Sequence, residues 1–98
     1  MQINKIQEGT ALLIKVSGRL DTTTAPDLEA EVNRSVDGIE QITFDFTDLE
    51  YISSAGLRVL LYTHKRMSGK GGLKITHVCE AVMEIFEVTG FSDILDIE

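Results

Sequence analysis

Two stretches near the start of the chain, 3–7 and 10–17, alternate between apolar and polar residues, which is the pattern of β-strands. Only Glu8 and Gly9 are expected to form the turn between them, and so short a connection predicts an antiparallel hairpin. The second stretch has apolar residues on both faces: Leu12, Ile14 and Val16 on one, Ala11 and Leu13 on the other. We therefore expect this strand to be covered on both sides.

Three later segments have apolar residues spaced by three and four, the spacing of one helix face. They predict helices over 25–36, 54–68 and 79–89, each followed by a stop signal that contains glycine. The residues expected to face the core are Leu28, Val32 and Val36 in the first helix, Leu57, Leu60, Leu61 and His64 in the second, and Val82, Ile85 and Phe86 in the third. Thr24 is the expected N-cap of the first helix, with Pro26 in the first turn.

The order of these elements predicts the fold class. Further strands are expected at 41–46 and 73–76, and residues 91–97 form either a last short strand or a packed tail. Strand–helix–strand units imply partly parallel pairing with right-handed crossovers. We therefore expect an α/β fold with a small mixed β-sheet of about four to five strands and three helices packed mainly on one face. The chain length allows a single domain, 1–98.

Charge and composition narrow the class of partner. The formal net charge of −7 argues against nucleic acid or an anionic membrane, because both select a basic surface. No apolar run is long enough for a membrane span, and the N-terminus lacks the pattern of a signal peptide. The single cysteine, Cys79, excludes an internal disulfide and fits a reducing compartment. These features predict a cytoplasmic protein that binds neither nucleic acid nor membrane.

The turn Ser53-Ser54-Ala55-Gly56, between the strand at 41–46 and the second helix, is the most informative segment. Backbone N–H groups at a helix start lack intrahelical partners and lie at the positive end of the helix dipole. A serine there can cap the helix, and a phosphate there would meet several donors. Gly56 costs about 0.5–1 kcal/mol of helix propensity relative to alanine, which indicates a close approach to its backbone.

Other chemistry is weakly indicated. Ser54 on a strand–turn–helix is faintly similar to the nucleophile elbow of hydrolases, with His77 as a conceivable partner, although Ile52 replaces the first glycine of that motif. Two histidines and one cysteine make no metal-ligand pattern, so no catalytic residue, metal or other cofactor is predicted. The acidic residues before the serines are expected to form a solvated loop: Asp45, Asp48 and Glu50.

The chain resembles a free-standing STAS domain, the family of sulfate-transporter C-terminal domains and bacterial anti-sigma factor antagonists. The resemblance covers essentially the full length. It is carried by Gly18-Arg19-Leu20-Asp21 after the second strand, by the Asp-Leu-x-x-Ile-x-Ser-x-Gly-Leu pattern at 48–57, and by Thr89-Gly90-Phe91 after the third helix. It implies a regulatory binding module and not an enzyme.

In antagonists of this family, a serine at the start of the central helix is phosphorylated by a partner that is both an anti-sigma factor and an ATP-dependent serine kinase. The unphosphorylated form binds that kinase and releases the sigma factor, and a phosphatase resets the cycle. Counted back from Gly56, the resemblance places the acceptor on Ser54 and the loop aspartate near the partner's nucleotide site on Asp21. The residues implied in partner binding are Asp21, Thr22, Ser53, Ala55 and Gly56.

Two neighbours of the acceptor depart from the family pattern. Many antagonists have Asp before the acceptor and Ser or Thr after it, whereas this chain has Ser53 and Ala55. Ser53 is therefore an alternative acceptor. The alternative functions are a STAS subunit of a sensory or lipid-transport complex that acts without phosphorylation and, third, a small serine hydrolase. Asp21 is expected to serve the partner surface and not folding, the alternative being an exposed or turn-stabilising aspartate.

Overall fold

The computed structural model describes residues 1–98 and contains one six-stranded sheet and three α-helices. The strands are β1 (Gln2–Glu8), β2 (Ala11–Leu20), β3 (Gln41–Asp45), β4 (Leu49–Ile52), β5 (Leu73–Thr76) and β6 (Asp96–Ile97). The helices are α1 (Ala25–Ser35), α2 (Ser54–Met67) and α3 (Glu80–Thr89), and a 3-10 turn, Phe91–Asp93, follows α3. This mixed architecture confirms the predicted fold class, and β6 confirms the alternative of a last short strand.

The sheet is mixed because the first two strands are antiparallel and the rest are parallel. β1 and β2 form the predicted hairpin, with Glu8 opposite Ala11. Parallel pairing then gives the order β1-β2-β3-β5-β6, while β4 pairs with the last residues of β2, beyond the end of β3. The carboxyl ends of β2 and β4 therefore lie together at one edge of the sheet.

β4 is the element that the sequence analysis missed. The segment before the serines was expected to be a solvated acidic loop, and for two of its three acids that prediction is wrong. Asp45 ends β3 and Glu50 lies within β4, so only Asp48 belongs to a connection. Leu49 and Ile52 are buried, and this burial offsets the cost of ordering so short a strand.

One face of the sheet carries the core. Buried and non-buried residues alternate along the central strands, and the buried set is Leu12, Ile14, Val16, Ile42, Phe44, Leu73 and Ile75. On the opposite face of β2, Ala11 and Lys15 are exposed and Leu13 is half-buried. The prediction that β2 is covered on both sides is therefore wrong. Its second row of apolar residues belongs to an open sheet face, as antiparallel and mixed sheets permit.

The helix boundaries differ from the prediction by one residue each, with Val36, Ser68 and Cys79 as flanking caps. Their core faces differ more. Leu61 and His64 of α2 and Ile85 of α3 are only half-buried, so their assignment to the core was wrong. The buried residues of α2 are Gly56, Leu57, Val59, Leu60, Thr63 and Met67. None of the three helices has the length and apolar character needed to cross a membrane.

Candidate functional site at the carboxyl ends of β2 and β4

The carboxyl ends of β2 and β4 carry the two turns that the sequence singles out. The parallel register pairs Leu20 with Ile52, and the Ser53 N–H donates to the Leu20 carbonyl at 2.9 Å. Asp21 and Ser53 each come next in the chain, so they are neighbours at this edge. Ligand sites of open parallel sheets form at the carboxyl ends of strands.

The two serines of the second turn differ in exposure. Ser53 is the N-cap of α2, with extended backbone (φ −101°, ψ 177°), and its carbonyl accepts the Leu57 N–H at 2.9 Å. The Ser53 side chain makes no capping hydrogen bond, and its Oγ is buried without a partner. Ser54, the first residue of α2, is exposed. Of the two serines, Ser54 is the one presented to a partner.

The start of α2 is suited to an anion. The N–H groups of Ser54, Ala55 and Gly56 precede the first intrahelical hydrogen bond, and the first turn contains no acidic residue. Arg58 is exposed and lies one turn further on the same face as Ser54. The sequence analysis overlooked Arg58, although its spacing of four from Ser54 is the signal that identifies it.

Gly56 explains how α2 approaches the sheet. A Cβ at this position would lie 2.7 Å from Ile52 Cγ1, 2.8 Å from Leu20 Cγ and 3.0 Å from the Leu20 carbonyl oxygen. The close approach that the glycine indicates is therefore confirmed, and it is made by the ends of β2 and β4. Gly56 is buried, so it positions the turn and offers no exposed surface. Its inclusion among the partner-contacting residues is corrected accordingly.

Asp21 organises the other turn. Its Oδ1 accepts hydrogen bonds from the Thr23 N–H at 3.0 Å, the Thr23 hydroxyl at 2.8 Å and the Thr24 N–H at 3.2 Å. The hydrogen bond from the Thr23 hydroxyl, assisted by the other Thr23 and Thr24 donors against partial burial, lowers the pKa of the Asp21 carboxyl. The Asp21 N–H donates to the Thr24 hydroxyl at 2.8 Å. The expectation that Asp21 has no role in folding is wrong, and the turn-stabilising alternative is correct.

A groove extends from the two turns along α1 and α2. Its volume is about 460 Å³, and Thr22 and Ala55 line it at the turn end. Farther along it is lined by Pro26, Arg58, Tyr62 and Lys65. Four residues of the predicted site (Asp21, Thr22, Ser53 and Ala55) thus lie on the two turns beside Ser54.

The residues of the hydrolase alternative are not brought together. His77 has a left-handed backbone (φ 59°), and its Nδ1 lies 3.1 Å from the Thr76 hydroxyl and 3.6 Å from Asp45 Oδ1. Burial opposes ionisation of Asp45, but hydrogen bonds from Thr47 and the charges of His77 and Lys15 lower the pKa of its carboxyl overall. His77 therefore interacts with the end of β3, and no hydrogen bond joins it to Ser54.

Comparison with known proteins agrees with this geometry. The family model described as STAS domain matches residues 2–98. The putative anti-sigma factor antagonist BtrV of Bordetella bronchiseptica is 36% identical over 88 residues, covering 88% of this chain and 76% of that protein. The anti-sigma-B factor antagonist of Bacillus subtilis is 28% identical over 92 residues, covering 93% of this chain and 84% of that protein.

Solved structures share the fold. An anti-sigma factor antagonist from Mycobacterium paratuberculosis superposes with a TM-score of 0.88 at 23% identity, over 98% of this chain and 83% of that one. The anti-sigma factor antagonist SpoIIAA in its unphosphorylated form gives a TM-score of 0.84 at 15% identity, over 99% of this chain and 88% of that one. The chain belongs to the STAS domain family. Its curated relatives carry the name of anti-sigma factor antagonists, regulatory binding proteins and not enzymes.

Proposed function

We propose that this protein is a phospho-regulated anti-sigma factor antagonist. In this proposal the unphosphorylated form binds an anti-sigma factor that is also an ATP-dependent serine kinase, and so releases a sigma factor. The kinase then phosphorylates Ser54, and a phosphatase restores the hydroxyl. The observation that carries the proposal is the contrast between Ser54, exposed at the first position of α2, and Ser53, whose Oγ is buried.

The physical basis of the switch is local. A phosphate adds about −1.5 to −2 charges and three acceptor oxygens. On Ser54 this charge would meet the free N–H groups at the helix start and the guanidinium of Arg58, so the fold tolerates it. A partner packed on the two turns would instead meet added bulk and an unpaired charge. The fold of this chain matches SpoIIAA in both the unphosphorylated and the phosphorylated form, with TM-scores of 0.84 and 0.76, which supports a switch without refolding.

The partner surface in this proposal comprises the two turns and the adjoining end of the α1–α2 groove. Asp21 holds the first turn in shape, and Thr22 and Ala55 flank Ser54 with small side chains over which a kinase can close. Ser53 supports the start of α2 from the inside. The lone Cys79 fits a reducing compartment, so the proposal places the protein in the cytoplasm.

The decisive experiment is phosphorylation by the anti-sigma factor kinase of the same organism. The protein, Ser54→Ala and Ser53→Ala are each incubated with kinase and ATP, and intact mass with peptide mapping reports the product. We expect one phosphate on the unmodified protein and on Ser53→Ala, and none on Ser54→Ala. The opposite pattern would move the acceptor to Ser53. If neither serine accepts phosphate while the kinase modifies its own established substrate, the protein acts as a STAS subunit without phosphorylation.

A further inference from the structure

Helix α3 leaves an apolar stripe uncovered on its outer side. Val82 and Phe86 are buried, whereas Ala81, Ile85 and Val88 follow one another at i, i+4 and i+7 beside them. Val88 is 81% exposed, and Ile85 is half-buried. These three residues line a shallow cavity of about 260 Å³ together with Glu84 and Thr89. The stripe is thus continuous and indented, unlike an isolated exposed apolar side chain.

The charge around this stripe has one sign. Residues 80–98 contain six acidic residues and no lysine or arginine, whereas the first 79 residues contain ten acidic and nine basic residues. Nearly all of the net charge of −7 therefore belongs to α3 and the segment after it. Glu80, Glu84 and Glu87 are exposed on α3 and take part in no ion pair, while Glu98 pairs with Lys74 at 3.0 Å.

We propose that the stripe Ala81–Ile85–Val88 is a docking site for a basic amphipathic helix of another protein. The apolar residues span two turns, roughly 10 Å along the axis, which suits anchors spaced at i, i+3 or i+4, and i+7 on the incoming helix. Lysine or arginine residues flanking those anchors would face the glutamates. Complementary charge of this kind steers association and selects the partner.

The sign of the charge decides against other occupants. A second copy of this chain would bring the same glutamates into contact with each other, and like charges across an interface are costly. An anionic membrane or a nucleic acid would meet an acidic surface where each needs a basic one. A basic protein segment is the class whose apolar and charged groups both match. The site lies on α3 and shares no residue with the Ser54 turn, so it is independent of the proposed phosphorylation.

A designed peptide tests the docking site. The probe is a helical peptide of roughly 18 residues with leucines at i, i+3, i+4 and i+7 and lysines beside them, which together match the stripe and its rim. The control peptide carries glutamate in place of every lysine. Binding is followed by fluorescence anisotropy and by 15N–1H chemical shifts of the folded protein. We expect the basic peptide to shift the amide signals of α3, to bind more weakly at high salt, and the acidic peptide not to bind.

Matched variants show whether the stripe is responsible. Val88→Ser removes its most exposed apolar side chain, and Glu84→Lys reverses a charge at its rim. Each should weaken binding by roughly tenfold or more, the scale of a central interface residue. The controls are Ile6→Ser, an apolar residue 51% exposed on β1, and Glu8→Lys, which makes the same charge change on that strand. Both controls should leave the affinity unchanged.

Several results would overturn the docking proposal. They are chemical shifts confined to other surfaces, equal binding of the acidic peptide, or an affinity that Val88→Ser and Glu84→Lys leave unchanged. Self-association that Val88→Ser abolishes would make a second copy the occupant. Vesicles containing phosphatidylserine that bind the protein through Val88 would make it a membrane. Phosphorylation of Ser54 by the cognate kinase is measured on the same variants and should be unaffected, so failure here is distinguishable from failure of the proposed function.

Discussion

The Leu20 carbonyl accepts the Ser53 N–H at 2.9 Å, and this hydrogen bond joins the end of β2 to the start of α2. It places the Asp21 turn beside the serine turn although 32 positions separate Leu20 and Ile52, the pair before them. Gly56 then allows α2 to rest on both strand ends. The proposed partner surface is therefore a rigid product of strand pairing and close packing, which fixes the position of Ser54.

The close packing predicts the effect of Gly56→Ala. Alanine is the better helix former by about 1 kcal/mol, but its Cβ would meet Leu20 and Ile52 at distances below 3.0 Å. Overpacking of this kind costs roughly 1–3 kcal/mol, so we expect net destabilisation in urea unfolding. Gly69→Ala is the control, because nothing lies within 4 Å of the Cβ added there. Equal stability of Gly56→Ala and the unmodified protein would show that α2 can move away from the strands.

Ser54→Asp should fold and yet bind the kinase more weakly. Aspartate at the helix start stabilises by about 0.3–1 kcal/mol through the helix dipole, but it carries an unpaired charge into the contact. We expect the affinity for the kinase, measured by calorimetry, to fall toward the lower end of a roughly 5–150-fold range, because aspartate carries less charge than phosphate. Ser54→Asn has similar size without charge and should lose less. Undiminished binding by Ser54→Asp would contradict an electrostatic switch.

Arg58 should stabilise the phosphorylated form. Its position four residues after Ser54 places its guanidinium within reach of a phosphate on that serine, and a hydrogen bond between charged groups contributes about 1.5–3 kcal/mol when well formed. At this exposed site we expect about 0.5–1.5 kcal/mol of coupling, measured as a double-mutant cycle between phosphorylation and Arg58→Gln in thermal unfolding. Lys65→Gln removes a charge two turns farther along the groove and should show no coupling. A coupling of zero for Arg58 would leave the backbone N–H groups as the only ligands of the phosphate.

Asp21 gives a prediction with a pH dependence. Because folding lowers the pKa of its carboxyl, the stabilisation that Asp21 contributes is present above the unfolded pKa, about 3.9, and is lost as the pH falls through the folded value. Asp21→Ala should therefore lower the melting temperature at pH 7 by a few degrees, roughly 2–6 °C, and the difference should shrink below about pH 4. Asp37→Ala, at an exposed position that follows α1, is the control at neutral pH. A melting temperature unchanged by Asp21→Ala at pH 7 would show that the hydrogen bonds to Thr23 and Thr24 contribute nothing.

Local patterns in the sequence predicted the elements and the position of the serine turn. The three helices begin and end within one residue of their predicted limits because spacing, glycine stops and cap positions are properties of neighbouring residues. The spacing was weaker at marginal positions. Leu61, His64 and Ile85 have the spacing of a core face, but how deeply each is buried depends on which element packs over it.

Only the tertiary structure decided how the site is built. The pairing of β4 with β2, the burial of the Ser53 hydroxyl and the open second face of β2 all depend on segments far apart in the chain. Strand pairing and burial are set by the free energy of the whole packed domain, so four residues such as 49–52 carry no local mark of the strand they join. The sequence alone determined that a helix starts at Ser54; long-range packing determined that Ser54 is the exposed serine and Asp21 its neighbour.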